Sequence, residues 1–265
     1  MTAAKRIRRD IIETVIAAGR GHIAPAFSLV EILLVLYNDI LNVHPDRVDD
    51  PDRDRLILSK GHGCLALYAV LARQDFFPVE ELQRFCREEG ILGGHPEHRK
   101  IPGVEATTGA LGHGLSIGLG MALAARLEER SFRVFVIVGD GECNEGSIWE
   151  AALSAAKHGL DNLIVLVDYN KMQSYGAVDD VVGLEPFAEK WRAFGFAVHE
   201  ADMEHPEVLR QVLLGLPFEP GRPNAVICHT IKGKGVSFVE NNPAWHHRTR
   251  LSEAEIAALR AALAD

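Results

Sequence analysis

The segment from Phe132 to Val167 constrains the fold of this chain most strongly. Phe132 to Val138 is an almost unbroken run of β-favouring apolar residues, and a second apolar run follows at Leu163 to Val167. Between the two lies a helical pattern from about Gly146 to His158, closed by Gly159. Apolar strands without alternation are typical of parallel sheets, because such strands are buried on both faces. The segment therefore predicts a βαβ unit.

Further strands and helices alternate towards the carboxyl end, with helices predicted near Glu185 to Phe194 and Pro206 to Leu216 and strands near Phe196 and at Ala225 to Cys228. This alternation predicts the α/β class, with a doubly wound parallel sheet. A chain of 265 residues could form one domain or two. Because the 47% of apolar residues are spread evenly, a single domain over residues 1–265 is favoured.

The amino-terminal third reads as helical, with one short strand. A helix is predicted from about Lys5 to Ala18, and Arg55 to Ser59 has the pattern of a strand. Ser28 to Glu31 has capping-box spacing before an apolar helix from Ile32 to Tyr37. A second capping box is predicted at Ser252 to Glu255, where it would open a carboxyl-terminal helix.

Charge and composition exclude several kinds of protein. The formal net charge of −9 argues against a nucleic-acid partner, which requires a basic face. No apolar run approaches the roughly 18 to 20 residues of a membrane span, so no membrane insertion is expected. The four cysteines form no CxxC pair, which favours reduced thiols and a cytoplasmic protein.

Two oxygen-bearing side chains follow neighbouring strands of the predicted βαβ unit. Asp140 stands within a Gly-Asp-Gly turn directly after the first strand, and Asn170 follows the second. In an open parallel sheet both positions lie at the carboxyl ends of strands, where ligands bind. A carboxylate and an amide oxygen suit Mg²⁺, which is bound by few protein oxygens together with phosphate oxygens. Gly141 leaves room for a diphosphate to approach the backbone.

A dinucleotide-binding fold is the nearest alternative. Gly139, Gly141 and Gly146 loosely imitate a glycine-rich loop, and Asp168 ends the next strand as a ribose-binding acid would. The spacing is not GxGxxG, however. An aspartate inside the loop would repel a bare pyrophosphate unless a divalent cation lay between them.

With GDG and the later asparagine in place, the sequence resembles the thiamine-diphosphate enzymes, and more narrowly the transketolase family. The matching stretches run in family order along nearly the whole chain: GRGHIAP (19–25), LSKGH (58–62), GGHPE (93–97), TTGALGHG (107–114), GDGECNEGSIWEA (139–151), VDYNKM (167–172), IKGKGVSF (231–238) and AWHH (244–247). The resemblance implies the diphosphate-binding (PP-type) fold, thiamine diphosphate as cofactor, and Mg²⁺, Ca²⁺ or Mn²⁺ as its metal.

Four histidines in Gly- or Pro-flanked loops are catalytic candidates by this resemblance. His62 and His246 are expected to line the cofactor, and His22 and His95 to face substrate hydroxyls. Several neutral groups that hydrogen bond and shuttle protons suit a polyhydroxylated substrate. The departures from the family lie at the substrate rim: Arg20 to Ala24 reads RGHIA where SGHPG is common, and His247 replaces a glycine.

The resemblance also assigns the remaining cofactor contacts. Besides His62 and His246 they are Gly109, Ala110, Leu111, Asp140, Gly141, Glu145, Asn170 and Lys232. Metal ligands would be Asp140, Asn170 and the backbone carbonyl of Met172. Two simpler interpretations stay open, because Gly109 to Leu111 could be a plain loop and Glu145 a first-turn helix glutamate favoured by the dipole.

The transketolase resemblance further implies a partner chain. In the family a glutamate on a second, pyrimidine-binding domain activates the cofactor, whereas this chain ends at Asp265, soon after the last predicted helix. A carboxyl-terminal transketolase subunit in an α₂β₂ assembly is therefore expected, together with sugar or sugar-phosphate substrates and transfer of a two-carbon ketol unit. The alternatives are one chain of a 2-oxoacid decarboxylase or dehydrogenase, a specialised sugar-modifying ketolase and a non-catalytic cofactor-binding module.

Overall fold

The computed structural model describes residues 1–246, 248 and 250–264. Its centre is a sheet of five parallel strands, in the spatial order β1-β2-β3-β5-β4. The strands are β1 (Arg55–Leu58), β2 (Val134–Gly139), β3 (Leu163–Tyr169), β4 (Ala197–Asp202) and β5 (Asn224–His229). Every residue of β2 and β3 is buried, as the unalternated apolar runs predict. The predicted α/β class and parallel sheet are confirmed.

Helices cover both faces of the sheet. They are α1 (Ala3–Ala18), α2 (Ile23–Phe27), α3 (Val30–Val35), α4 (Cys64–Arg73), α5 (Gly114–Leu127), α6 (Gly146–Lys157), α7 (Val178–Val182), α8 (Phe187–Ala193), α9 (Pro206–Leu214) and α10 (Glu253–Ala262). The segment between Arg73 and Gly114 contains only a 3-10 helix at Val79–Arg84. The long irregular loop predicted at Gly90 to Gly114 is therefore present.

Alternate residues of each strand belong to two separate hydrophobic cores, one on each face of the sheet. Phe135, Ile164 and Val226 face the core formed with α1 to α4 and α9. Val136 and Val165 point the opposite way, into the core formed with α5, α6 and α8. Because a strand alternates its side chains between faces, the apolar strands bind a helical layer on each side. This arrangement is the doubly wound architecture.

One predicted capping box is wrong and the other is confirmed. The Ser28 hydroxyl donates to the Pro25 carbonyl at 3.2 Å and to the Asp168 carboxylate at 2.7 Å. Glu31 instead accepts a hydrogen bond from the buried Arg8 guanidinium at 2.8 Å. Buried tertiary partners thus replace the local capping bonds. The solvent-exposed Ser252 does form its box, with Glu255.

One apolar segment is longer than the sequence pattern indicated. Ile23–Ile40 spans 18 residues with a mean hydropathy of 1.6, which by length and composition alone suffices to cross a membrane. The expectation that no such run exists is therefore wrong. In the described structure 72% of this segment is buried inside the protein, and a turn at residues 28–29 divides it into α2 and α3. Burial against the sheet accounts for its apolar composition.

Substitutions at two glycines of α5 test how closely this helix packs against the sheet. A Cβ atom on Gly118 would lie 2.4 Å from Cγ2 of Val136, whereas one on Gly120 would meet nothing within 4 Å. We expect Gly118→Ala to lower the free energy of unfolding by about 1–3 kcal/mol through overpacking. Gly120→Ala should raise it by about 0.4–1 kcal/mol through backbone entropy. Urea denaturation measures both, and equal effects would contradict the packing.

Candidate functional site

The Asp140 carboxylate joins the carboxyl ends of two neighbouring strands. Asp140 follows β2, and its Oδ1 accepts the Gly141 amide proton at 2.7 Å. Its Oδ2 accepts the amide proton of Lys171, just beyond β3, at 2.5 Å. The pairing of Gly139 with Asp168 in the sheet sets this register. The structure therefore brings Asp140 and Asn170 to the same edge, as the βαβ pattern predicts.

Asp168 is the buried centre of the hydrogen bonds below this edge. Its carboxylate is fully buried and ion-paired with Lys60, whose side chain is 2% exposed. It also accepts hydrogen bonds from the Ser28 and Thr230 hydroxyls. Burial alone would raise the pKa of Asp168, but the Lys60 charge and these donors hold it below its usual value. The carboxylate is therefore ionised and fully engaged.

This carboxylate also orients Asn170. The Asn170 amide nitrogen donates to Asp168 Oδ2 at 3.2 Å, and its Oδ1 accepts the Met172 amide proton at 3.1 Å. Partners of this kind behind a ligand fix which end of an amide faces a metal. Because Asp168 is buried and saturated with donors, it is not available to a ribose. The dinucleotide-binding alternative thus loses its acidic residue.

Three histidines pack together next to Asp140 and Asn170. The rings of His22 and His62 are 6.3 Å apart and nearly perpendicular, and those of His62 and His246 are 6.1 Å apart. His22 Nδ1 lies 3.2 Å from the His246 carbonyl oxygen. Burial, followed by the charge of Lys60, lowers the pKa of His62 well below its usual value. His62 is therefore neutral at pH 7.

A cavity of about 240 Å³ lies over these groups, and we call it the inner cavity. Most predicted cofactor and metal residues line it, namely His62, Gly109, Leu111, Asp140, Gly141, Asn170, Met172, Lys232 and His246, and so does the catalytic candidate His22. A second cavity of about 440 Å³, the outer cavity, adjoins it and shares His22 and His62. His95 lines only the outer cavity. Of the four predicted histidines, His246 therefore lines the inner cavity and His95 the outer cavity, whereas His22 and His62 line both.

Two predicted cofactor residues lie outside the inner cavity. Ala110 is exposed and is not part of its lining. Glu145 is also exposed, with extended backbone at the N-cap of α6, beside Gly112. This position matches the simpler interpretation of Glu145 as a helix-start glutamate. His247 lies outside the described residues.

The sequence pattern did not reveal several residues of the site. Besides Lys60 and Asp168 they are Glu142, Gln173 and Ser174, all but Asp168 being part of the inner-cavity lining. Glu142 accepts hydrogen bonds from the Gly112 amide at 2.9 Å, the Gly139 amide at 3.0 Å and the Ser59 hydroxyl. Lys60 and Glu142 belong to the motifs LSKGH and GDGEC, so the sequence contains them within recognisable stretches. The sequence does not show which groups pair with their charged side chains.

The inner cavity has the donors that a metal diphosphate requires. Asp140, Asn170 and the Met172 carbonyl offer hard oxygens, which suit Mg²⁺. Burial, followed by the Asp168 charge, raises the pKa of Asp140 to about 7. Burial, followed by the Lys60 charge, lowers the pKa of Lys232 to about 7. The Gln173 amide nitrogen is buried and has no hydrogen-bond partner in the described part of the chain. A cation at the acid and an anion at the lysine would compensate both charges.

Comparisons with known proteins agree with this geometry. The family model "Transketolase, thiamine diphosphate binding domain" matches residues 1–264. An apulose-4-phosphate transketolase subunit of Actinobacillus succinogenes is 42% identical over 257 residues, which cover 96% of this chain and 92% of that protein. The 6-deoxy-6-sulfo-D-fructose transketolase subunit SqwG of Clostridium sp. is 40% identical over 253 residues, covering 96% and 92%.

A solved structure gives the same result for the fold. Transketolase from Leishmania mexicana superimposes with a TM-score of 0.88 at 28% sequence identity. The match covers 99% of this chain but only 41% of that protein, so the chain spans about two-fifths of the solved transketolase. The chain belongs to the transketolase family, as a thiamine diphosphate-binding domain. The resemblance drawn from the sequence motifs is confirmed.

Proposed function

We propose that this chain is one subunit of a thiamine-diphosphate-dependent transketolase, which transfers a two-carbon ketol unit from a ketose donor to an aldose acceptor. The observation that carries the proposal is the cluster of His22, His62 and His246, which lines the same cavity as the Asp140 and Asn170 pair. Relatives of nearly equal length are named transketolase subunits, which supports the same activity here.

The inner cavity would hold the cofactor through its metal and its diphosphate. Asp140, Asn170 and the Met172 carbonyl would bind Mg²⁺, or Ca²⁺ or Mn²⁺ in its place. Lys232, which donates to the Met172 carbonyl at 3.0 Å and contacts His246, stands where it can bind phosphate oxygens. When bound, thiamine diphosphate supplies the carbon that accepts the ketol unit.

The histidines would position the substrate and move its protons. His62 is neutral and can both accept and donate a hydrogen bond. It and His22 form the wall shared by the two cavities, so a sugar entering from the outer cavity meets them before it reaches the inner one. His95, farther out, would contact hydroxyls remote from the reacting carbon. A 2-oxoacid has few hydroxyls, which makes the decarboxylase alternative a weaker fit.

The inner cavity also indicates why a partner is required. Of the described residues that line it, the carboxylic acids are Asp140 and Glu142, and Glu142 is saturated by Ser59, Gly112 and Gly139. The acid that activates the cofactor would therefore come from a partner chain with the pyrimidine-binding domain. The names of the relatives, which are called subunits, support a partner chain. We propose that this single-domain chain is cytoplasmic, binds neither nucleic acid nor membrane, and assembles with its partner as α₂β₂.

Reconstitution tests the proposal. The chain is mixed with a partner that carries the pyrimidine-binding domain, in the presence of thiamine diphosphate and Mg²⁺, and ketol transfer is followed for several ketose donors. We expect transfer only when both chains are present. Transfer by this chain alone would contradict the partner requirement. Turnover of pyruvate-like acids without ketol transfer would favour the 2-oxoacid alternative.

A further inference from the structure

The outer cavity has a one-sided charge distribution. Its lining includes Arg20 and Arg250, and none of the described residues that line it is Asp or Glu. This contrasts with a chain whose net charge is −9. A cleft lined by charges of one sign concentrates its field inside the cleft and attracts ions of the opposite sign. The outer cavity is therefore suited to an anion, on the side away from the cofactor.

The local backbone holds Arg20 at the cavity while leaving its side chain exposed. Gly19 ends α1 in the left-handed conformation, with φ of 66°, and Gly21 has φ of 130°. A Cβ atom on Gly21 would lie 2.8 Å from Leu65 Cδ1 and 2.9 Å from Val15 Cγ2, so this backbone is pressed against the core. The Arg20 guanidinium lies beside the Cys86 thiol, which does not neutralise its charge.

Arg250 reaches the same cavity from the far end of the chain. It follows the His246 loop and precedes Ser252, the capping residue of α10. In the parts of the chain that the structure describes, neither Arg250 nor Arg20 has a carboxylate oxygen within 4.0 Å, although most arginines here do. Two guanidinium groups without a described carboxylate partner thus line a cavity whose inner wall is His22 and His62.

We propose that Arg20 and Arg250 form an anion-binding subsite that recognises a phosphate or sulfonate group at the end of the sugar remote from the transferred ketol unit. This inference rests on the proposed ketol transfer. Guanidinium groups bind tetrahedral oxyanions through paired N–H donors. With the carbonyl end of the sugar at the histidines, its anionic end lies in the outer cavity. The chain itself therefore contributes to the choice of substrate.

Steady-state kinetics of the complete two-chain enzyme tests the subsite. The donors compared are D-fructose 6-phosphate, 6-deoxy-6-sulfo-D-fructose and D-fructose. We expect Arg20→Gln and Arg250→Gln each to lower kcat/KM for the anionic donors about tenfold, the low end for a charged hydrogen bond. The values for D-fructose should change less than twofold. A loss confined to the phosphate or to the sulfonate donor identifies which anion the subsite reads.

Independent readouts separate recognition from a structural defect. Inorganic phosphate and methanesulfonate should compete with the anionic donors in the wild type and about tenfold more weakly in the variants. Arg6→Gln removes an exposed arginine of α1 outside both cavities and should leave every value unchanged. Equal losses for D-fructose and the anionic donors, or no loss for either, would overturn the subsite. A wild-type enzyme without ketol transfer from any donor would instead contradict the proposed function.

Discussion

Replacing Asp140 by alanine is expected to abolish the binding of thiamine diphosphate with Mg²⁺, and ketol transfer with it. Asp140 is the charged member of the oxygen set formed with Asn170 and the Met172 carbonyl. The other carboxylic acid among the described residues that line the inner cavity, Glu142, already accepts three hydrogen bonds and so cannot take the place of Asp140. Loss of a group behind a metal ligand typically costs 10–100-fold in metal affinity. Loss of the charged ligand itself should cost at least about 100-fold.

Ligand-induced stabilisation provides the measurement. A ligand that binds only the folded state raises the midpoint of unfolding according to its affinity. The wild-type chain with its partner should therefore melt at a higher temperature when thiamine diphosphate and Mg²⁺ are added, and the Asp140→Ala protein should not. Asp180→Ala, which removes an exposed carboxylate of α7, serves as the matched control and should retain the shift. A normal shift in Asp140→Ala would rule out this metal site.

Replacing Asp168 by alanine should produce the largest loss of stability. The Lys60 ammonium, 2% exposed, would be left without its ion-pair partner. Thr230 and Asn170 would lose an acceptor, and Ser28 would keep only the Pro25 carbonyl. Breaking a buried ion pair by removing one partner costs about 3–5 kcal/mol, because the other charge stays buried. We expect a decrease of this size in the free energy of unfolding. Denaturant unfolding of the purified protein measures it.

Two comparison variants identify the cause. Lys60→Met should cost less than Asp168→Ala, because the carboxylate keeps the Ser28, Thr230 and Asn170 donors. Asp52→Ala removes a partner of Arg130 in an exposed ion pair and should change stability by less than about 1 kcal/mol. If Asp168→Ala lowered the free energy of unfolding no more than Asp52→Ala does, the buried ion pair between Lys60 and Asp168 would not organise the site.

Local patterns were sufficient for the sheet and for the position of its ligand edge. The strand at Leu163–Tyr169 and the helix at Gly146–Lys157 agree with the predicted runs to within two residues. Burial of whole strands imposes uninterrupted apolar sequence, and the end of a strand is marked by the change in composition that follows it. Asp140 and Asn170 could therefore be assigned to the same edge, because parallel strands end on the same side.

The sequence by itself thus determined the architecture, the family and the placement of Asp140 and Asn170 at one edge of the sheet, because local patterns of composition mark where each strand begins and ends. Only the tertiary structure decided how charges and hydroxyls are paired. Asp168, which the sequence offered as a ribose ligand, binds Lys60 at a separation of 108 residues. The Ser28 hydroxyl, expected to cap a helix, reaches the same carboxylate across 140 residues. No periodicity records such contacts, because the partner of a buried polar group is set by the packing of distant elements.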